Sequence, residues 1–260
     1  MGRINFKLLL TSCLIMATIE QTAFTKTIYV DDNANGTNDG SSWKDAYNFL
    51  HDALVEAKSV EKPVEIKVAQ GVYKPNQRIG QVLYDQNATF RLLKGVTLKG
   101  GFAGTDETNP DDRDIKLYET VLSGDLKRND INVKYARDFL DESSRNDNSY
   151  CVVISKLVNE ATVLDGFTIT GGNHHGMYNK NGSPTIIDCT FSSNWTEYWG
   201  GGLCNENGNP NIKQCTFIQN SAKYGGGIWN SKGSSFVTSC IFNGNSAKYG
   251  GGIYNYDNRN

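Results

Sequence analysis

The segment Asn220-Ser-Ala-Lys-Tyr-Gly-Gly-Gly-Ile-Trp-Asn230 returns almost unchanged as Asn245-Ser-Ala-Lys-Tyr-Gly-Gly-Gly-Ile-Tyr-Asn255, and a looser copy runs from Asn194 to Asn205. A repeat of this length cannot bury its apolar side chains alone, so the pattern demands a solenoid in which each turn stacks on the next. Aligned on Cys189, Cys215 and Cys240, every copy places a phenylalanine two residues later (Phe191, Phe217, Phe242) and an aliphatic residue three earlier (Ile186, Ile212, Val237). Leu164, Phe167 and Ile169 supply the same three places one rung earlier. Positions i and i+2 share one face of a strand, so Cys and Phe point in while Thr190, Thr216 and Ile241 point out. Met177, Leu203, Ile228 and Ile253, each directly after a glycine, form a second apolar column. Short strands bounded by Gly and Asn predict an all-β, right-handed, single-stranded parallel β-helix, its coils about 4.8 Å apart.

Of 27 glycines, 17 fall in residues 161–260, where turns must recur. The triplets Gly200–Gly202, Gly225–Gly227 and Gly250–Gly252 are expected at positive φ, which costs a residue with a Cβ. Two asparagine columns, Asn194/Asn220/Asn245 and Asn179/Asn205/Asn230/Asn255, are placed to hydrogen-bond from rung to rung. The alternative, a disordered Gly/Asn-rich tail, does not account for apolar residues holding register over four rungs.

The pairing of Gly-Gly-Gly-[Leu/Ile] with Phe-x-x-Asn (Phe191 to Asn194, Phe217 to Asn220, Phe242 to Asn245) resembles the repeats of polymorphic outer membrane proteins, although their third motif position is Ala. The upstream pieces Ile28–Asp32, Ile66–Tyr73, Val96–Phe102, Val121–Asp125 and Val163–Ile169 resemble the first coils of secreted bacterial β-helix proteins. The resemblance implies a pectate-lyase-like β-helix and a surface or outer-membrane location. It implies little about activity, because this fold hosts lyases, hydrolases, adhesins and plain scaffolds.

Arg3 and Lys7 precede an apolar run from Leu8 to Ile19, which is too short to span a bilayer and has the layout of a signal peptide over residues 1–25. Leu10-Thr-Ser-Cys13 is a partial lipobox, but the apolar run continues past Cys13, which disfavours lipid attachment. No other transmembrane span is expected. With 26 basic and 28 acidic residues, the chain gives no reason to expect a nucleic-acid partner. Five cysteines follow the signal. The stacked three lie too far apart at Cβ for a relaxed disulfide, so they read as buried thiols. Cys151 reads as core, and Cys204, in an outward column, as exposed.

Residues 26–160 read as a cap and first coils, and residues 161–260 as the repeats. Trp43, Ala46, Tyr47, Leu50, Ala53, Leu54 and Ala57 follow helical spacing, and Ser42 with Asp45 resembles a capping box; a helix over 43–57 would cover the first coil. At the far end, Asn260 falls in mid-coil, so the natural protein is expected to be longer, or this chain to be a truncated gene product.

Asp31-x-Asn33-x-Asn35-Gly36 matches the first half of a calcium loop, with Asp39 as a further oxygen donor, but Ser42 stands where a bidentate Glu is needed. A plain Asx/Gly turn explains the same residues. The charged segment near 125–148 reads either as a functional loop or as a solvated insertion. His174-His175 reads as a turn. Tyr178, Trp229 and Tyr254 form an outward aromatic column, and Trp199, Tyr224 and Tyr249 another, suited to sugar rings or a protein partner, or to stacking on one another. No catalytic set of converging carboxylates recurs on one face. The reading is therefore a secreted or surface scaffold touching a polysaccharide or a neighbouring cell surface. A polysaccharide lyase or hydrolase and a purely structural fragment are the alternatives.

Overall fold

A computed structural model describes residues 26–256 apart from 76, 79, 80, 83, 84, 132 and 134. The expected signal peptide, Cys13 and the four residues up to Asn260 lie outside the described residues.

Each coil contributes one short strand to each of three parallel sheets, which is a parallel β-helix. The first sheet has seven strands, from Lys26–Val30 to Phe236–Thr238. The second and third have six each, ending in Ile241–Asn243 and Ile253–Tyr256. Register follows the repeat. Ile186 pairs with Ile212 and then Val237, Phe191 with Phe217 and then Phe242, and Met177 with Leu203, Ile228 and Ile253 in turn. Leu164 and Ile169 hold the first two columns one coil earlier, in register with Leu98 and Leu122 before them.

These columns are the core. Phe191 stacks on Phe217 at 4.8 Å and Phe217 on Phe242 at 4.9 Å, with ring planes within 6° of parallel. Burying one such side chain contributes about 1.5–3 kcal/mol, and here most of that burial comes from the neighbouring coils. Cys189 and Cys215 are buried beside them, and the Cys215 backbone N–H reaches Cys240 Sγ at 3.4 Å. All five described cysteines are free thiols.

The glycine triplets split into two roles. Only Gly200, Gly225 and Gly250 adopt positive φ, at 63°, 66° and 62°. In the first two triplets the other glycines are there for closeness: a Cβ on Gly202 would lie 2.7 Å from Gly227 O, and one on Gly227 2.5 Å from Gly252 O, whereas one on Gly252 would meet nothing nearer than 3.7 Å. The expectation of positive φ throughout the triplets is corrected accordingly. Other corners take positive φ without glycine, at Asp188, Gln214 and Ser239 before the cysteine column, and at Ser193 and Gln219 before an asparagine column.

Those asparagines close the corners. Asn194 Nδ2 donates to Asn220 Oδ1 at 3.0 Å, and Asn220 Nδ2 to Asn245 Oδ1 at 2.9 Å. Asn220 and Asn245 also donate to the carbonyls of Phe191 and Phe217, each at 2.8 Å. The second ladder runs Asn179, Asn205, Asn230, Asn255 at 2.8–2.9 Å. Inside the protein these bonds replace water that cannot reach the amides.

At the N-terminal end one helix, α1 (Leu50–Ser59), buries Leu50, Ala53, Leu54 and Ala57 over the first coil. It starts seven residues later than the apolar spacing predicts. Tyr47 instead pairs with the outer edge of the first strand: Asp31 N–H donates to Tyr47 O, and Tyr47 N–H to Tyr29 O, each at 2.9 Å. Trp43 packs with Tyr29 and Phe102 outside the coil. The Ser42–Asp45 box forms, but it closes a turn rather than a helix. Strand pairing at an open edge has overridden the local helical period.

Candidate functional site

The two predicted aromatic columns meet. Between the second and third sheets the strands Ser221–Tyr224 and Ser246–Tyr249 pair side by side, and Trp199 bridges to Tyr224 one rung earlier. Tyr224 stacks on Tyr249 at 5.0 Å, with planes 12° apart. In the third sheet Tyr178, Cys204, Trp229 and Tyr254 stand in one outward row. Trp199 lies over Trp229 at 5.5 Å, Trp229 meets Tyr256 at 6.4 Å, and Tyr224 contacts Tyr254 at 5.3 Å. A cleft of about 590 Å³ opens along this seam, lined by Tyr198, Trp199, Tyr224, Trp229, Tyr254 and Tyr256, with Lys223 and Lys232 among its other walls.

Exposure separates members that the sequence could not. Trp229, sandwiched by its neighbours, is 8% exposed, whereas Trp199 is 46%. Tyr198 at 52% and Tyr256 at 45% belong to the cleft but were missed, because neither recurs in every rung. Their only signal is the aromatic doublet Tyr198-Trp199 and the extra Tyr after Asn255. Tyr178 stands apart: it stacks on His175 and its hydroxyl donates to Glu206. Burial and the nearby Glu206 charge push the Tyr178 hydroxyl well above its ordinary pKa. Cys204, expected to be exposed, is buried, and burial raises its thiol well above the usual range. Cys151 is half-buried, its thiol pushed up to about 12 mainly by burial.

The segment 125–148 is docked rather than solvated. It folds into two short 3-10 helices, Ala136–Asp141 and Ser143–Asp147. Buried Arg145 pairs with Asp130 at 3.1 Å, donates to the carbonyls of Gly172 and Ser193, and lies over the Phe139 ring. Asn148, fully buried, donates to Asp130 and to Gly171 O. Arg145, Asp130 and Asn148 thus pin the loop to two coil corners, while Lys127, Arg128, Arg137 and Asp138 stay exposed. Asp130 stands beside Asp125 over a cavity of about 150 Å³. Burial raises the Asp130 carboxyl, against the pull of Arg145.

In the acidic loop near the cap, the side chains proposed as calcium donors engage protein groups. Asp31 accepts from Asn33 N–H at 2.9 Å, and from the Thr105 backbone N–H and hydroxyl at 2.6 and 2.8 Å. Asn33 Nδ2 donates to Asp106, and Asp39 accepts from Thr37 and Ser41. Asn35 is exposed on the same loop. Among the described residues no three His, Cys, Asp or Glu side chains gather closely enough to hold a metal. His175 Nδ1 meets Gly200 O at 3.0 Å and His174 lies against Tyr150, at the start of a strand in register with the later glycine triplets.

Residues 188–206, 214–231 and 239–256 each match the model of the Chlamydia polymorphic membrane protein repeat. Three segments of the chain are similar to this repeat. Each matched segment spans one second-sheet strand, the aromatic corner and one third-sheet strand, so the cleft is lined by residues of these segments apart from Lys232. No curated protein sequence matches the chain. Among solved structures, pectin methylesterase PemA from Erwinia chrysanthemi aligns with a TM-score of 0.42 at 11% identity, over 85% of this chain and 54% of that one. A rhamnogalacturonan lyase aligns with a TM-score of 0.40 at 12% identity, over 88% of this chain and 62% of that one. The chain therefore spans less than two thirds of either structure, and nothing about its activity follows from them. Among the described residues no helix is long and apolar enough to cross a membrane.

Proposed function

We propose that this chain is a secreted or surface-displayed β-helix scaffold that contacts glycan through the aromatic cleft of its repeats. The observation carrying this reading is the exposure of Tyr198, Trp199 and Tyr256 around one cleft on a backbone that stacking holds rigid. Aromatic faces fixed in place bind the apolar faces of sugar rings with little ordering cost. The repeats' likeness to a membrane protein family supports a surface location. Replacing Trp199 by Ala is expected to abolish retention of the folded chain in native gels containing polysaccharide. Retention equal to the parent overturns the reading.

A second reading, glycoside cleavage, draws on the paired Asp125 and Asp130 beside Arg145. A buried carboxyl with a raised pKa suits a general acid. Every assigned bond of the pair serves the loop's own fold, however, which favours the scaffold. Reducing ends or unsaturated uronides released from pectin or alginate, and lost in Asp130→Asn, would reverse that order.

A further inference from the structure

Beside the aromatic cleft, and continuous with it through Lys223, runs a groove of about 510 Å³ whose lining brings together cations from two distant parts of the chain. The 3-10 helix Ala136–Asp141 packs against the strands Ser221–Tyr224 and Ser246–Tyr249 and brings Arg137 to the groove wall. Lys223 and Lys248 line it from adjacent coils, flanked by the in-register pairs Ala222–Ala247 and Tyr224–Tyr249. Like charges directly opposite one another on paired strands are destabilising, yet the repeat places one on the other. Their ammonium groups sit 5.5 and 5.4 Å from the ring centroids of Tyr224 and Tyr249. Among the described residues, neither lysine has a carboxylate within ion-pair distance. Glu197 is the one acidic residue of the lining, and Arg137, which lies over the Tyr135 ring at 4.7 Å, makes a long, exposed contact of 3.8 Å to Asp138. Ser221 and Ser246 line the same groove.

We propose that this groove binds the anionic groups of the cleft's ligand, so that the glycan is an acidic one, bearing carboxylate or sulfate along its length. The inference rests on the glycan reading of the cleft and deepens it. Coils advance by about 4.8 Å, a step comparable to one sugar unit of an extended chain, so Lys223 and Lys248 on two successive rungs meet charges on successive units of the polymer. In the adjoining cleft the exposed rings of Tyr198, Trp199 and Tyr256 take the apolar side of the sugars. A nucleic acid fits less well. Bases need open aromatic faces to stack on, and beside the lysines Tyr224 and Tyr249 spend theirs on each other.

The test uses the full secreted chain in native affinity gels with three polymers of one backbone: hydroxyethylcellulose, carboxymethylcellulose and cellulose sulfate. Retention by at least one acidic polymer is expected to exceed that by the neutral one by about tenfold in apparent Kd and to weaken with salt, as screened charge contacts do. Whichever acidic polymer is held more tightly identifies carboxylate or sulfate as the group recognised. The double variant Lys223→Gln/Lys248→Gln is expected to fall to the neutral-polymer value, whereas Lys44→Gln/Lys58→Gln at the cap retains parental affinity. Equal retention on all three polymers, or equal loss in both lysine pairs, overturns the acidic-ligand inference and leaves the glycan reading standing. Retention on none removes the glycan reading and the inference together. Tighter binding of an oligothymidylate than of either acidic polymer overturns the inference in favour of nucleic acid.

Discussion

Trp199 lies over Trp229 with ring centroids 5.5 Å apart and planes 26° apart, and this contact decides which of the two tryptophans can meet a ligand. The outer indole keeps nearly half its surface, while the inner one is spent on packing between coils.

The two positions should therefore separate binding from stability. Trp229→Ala is expected to destabilise the chain by about 3 kcal/mol, the scale of a large-to-small change at a buried aromatic. Trp199→Ala should cost about 1 kcal/mol or less, in line with partial exposure, yet remove glycan retention. Urea unfolding beside affinity electrophoresis checks both.

Asn220 accepts from Asn194 and donates to Asn245 and to Phe191 O in a fully buried corner. Asn220→Ala leaves an amide and a carbonyl unpaired there, and a loss of about 2–3 kcal/mol is expected. Asn220→Asp should fare no better, since a carboxylate cannot donate to Phe191 O. The shift in urea midpoint measures this.

Gly227 and Gly244 lie close in sequence but are glycine for different reasons. A Cβ on Gly227 would meet Gly252 O at 2.5 Å, and that backbone cannot yield without parting two coils. Gly244 has positive φ with open space around it, and Ser193 and Gln219 hold the same corner in earlier coils. Gly227→Ala is expected to lower thermal stability strongly, and Gly244→Asn to leave it within a few degrees, as differential scanning calorimetry would report.

His175 is held neutral: burial drives its pKa down to about 4 from an ordinary 6.5. The unfolded chain takes up a proton between those values and the folded chain resists it, so stability present above pH 6.5 is lost as pH falls towards 4. The ring meets Gly200 O through Nδ1, a bond a glutamine amide can reproduce. His175→Gln is expected to flatten this part of the stability–pH curve in urea titrations between pH 7 and 4.

Asp31 spends both carboxylate oxygens on Asn33 and Thr105. Removing divalent ions with a chelator should leave the melting temperature unchanged, whereas Asp31→Ala should lower it by tying the acidic loop less firmly to the cap. A chelator effect that vanishes in Asp31→Ala would instead assign calcium to Asp31, Asn33, Asn35 and Asp39.

By itself the sequence determined the solenoid, its core columns and both asparagine ladders. A residue copied at a fixed interval lands above its own copy whatever the details of the turn, so Phe191, Phe217 and Phe242 needed no coordinates to be placed together. Only the tertiary structure decided which outward side chains stay accessible and what the non-repeating parts do. Trp229 is hidden by Trp199, offset from it by a corner, and by Tyr256, two places beyond its own counterpart Tyr254; neither is its equivalent in the repeat. Tyr47 left its helical pattern because an unpaired strand edge stood beside it. Arg145 and Arg137 reach their places through a loop whose path depends on corners of coils formed later in the chain. Periodicity reports contacts between equivalents, and sites are made by neighbours that are not equivalent.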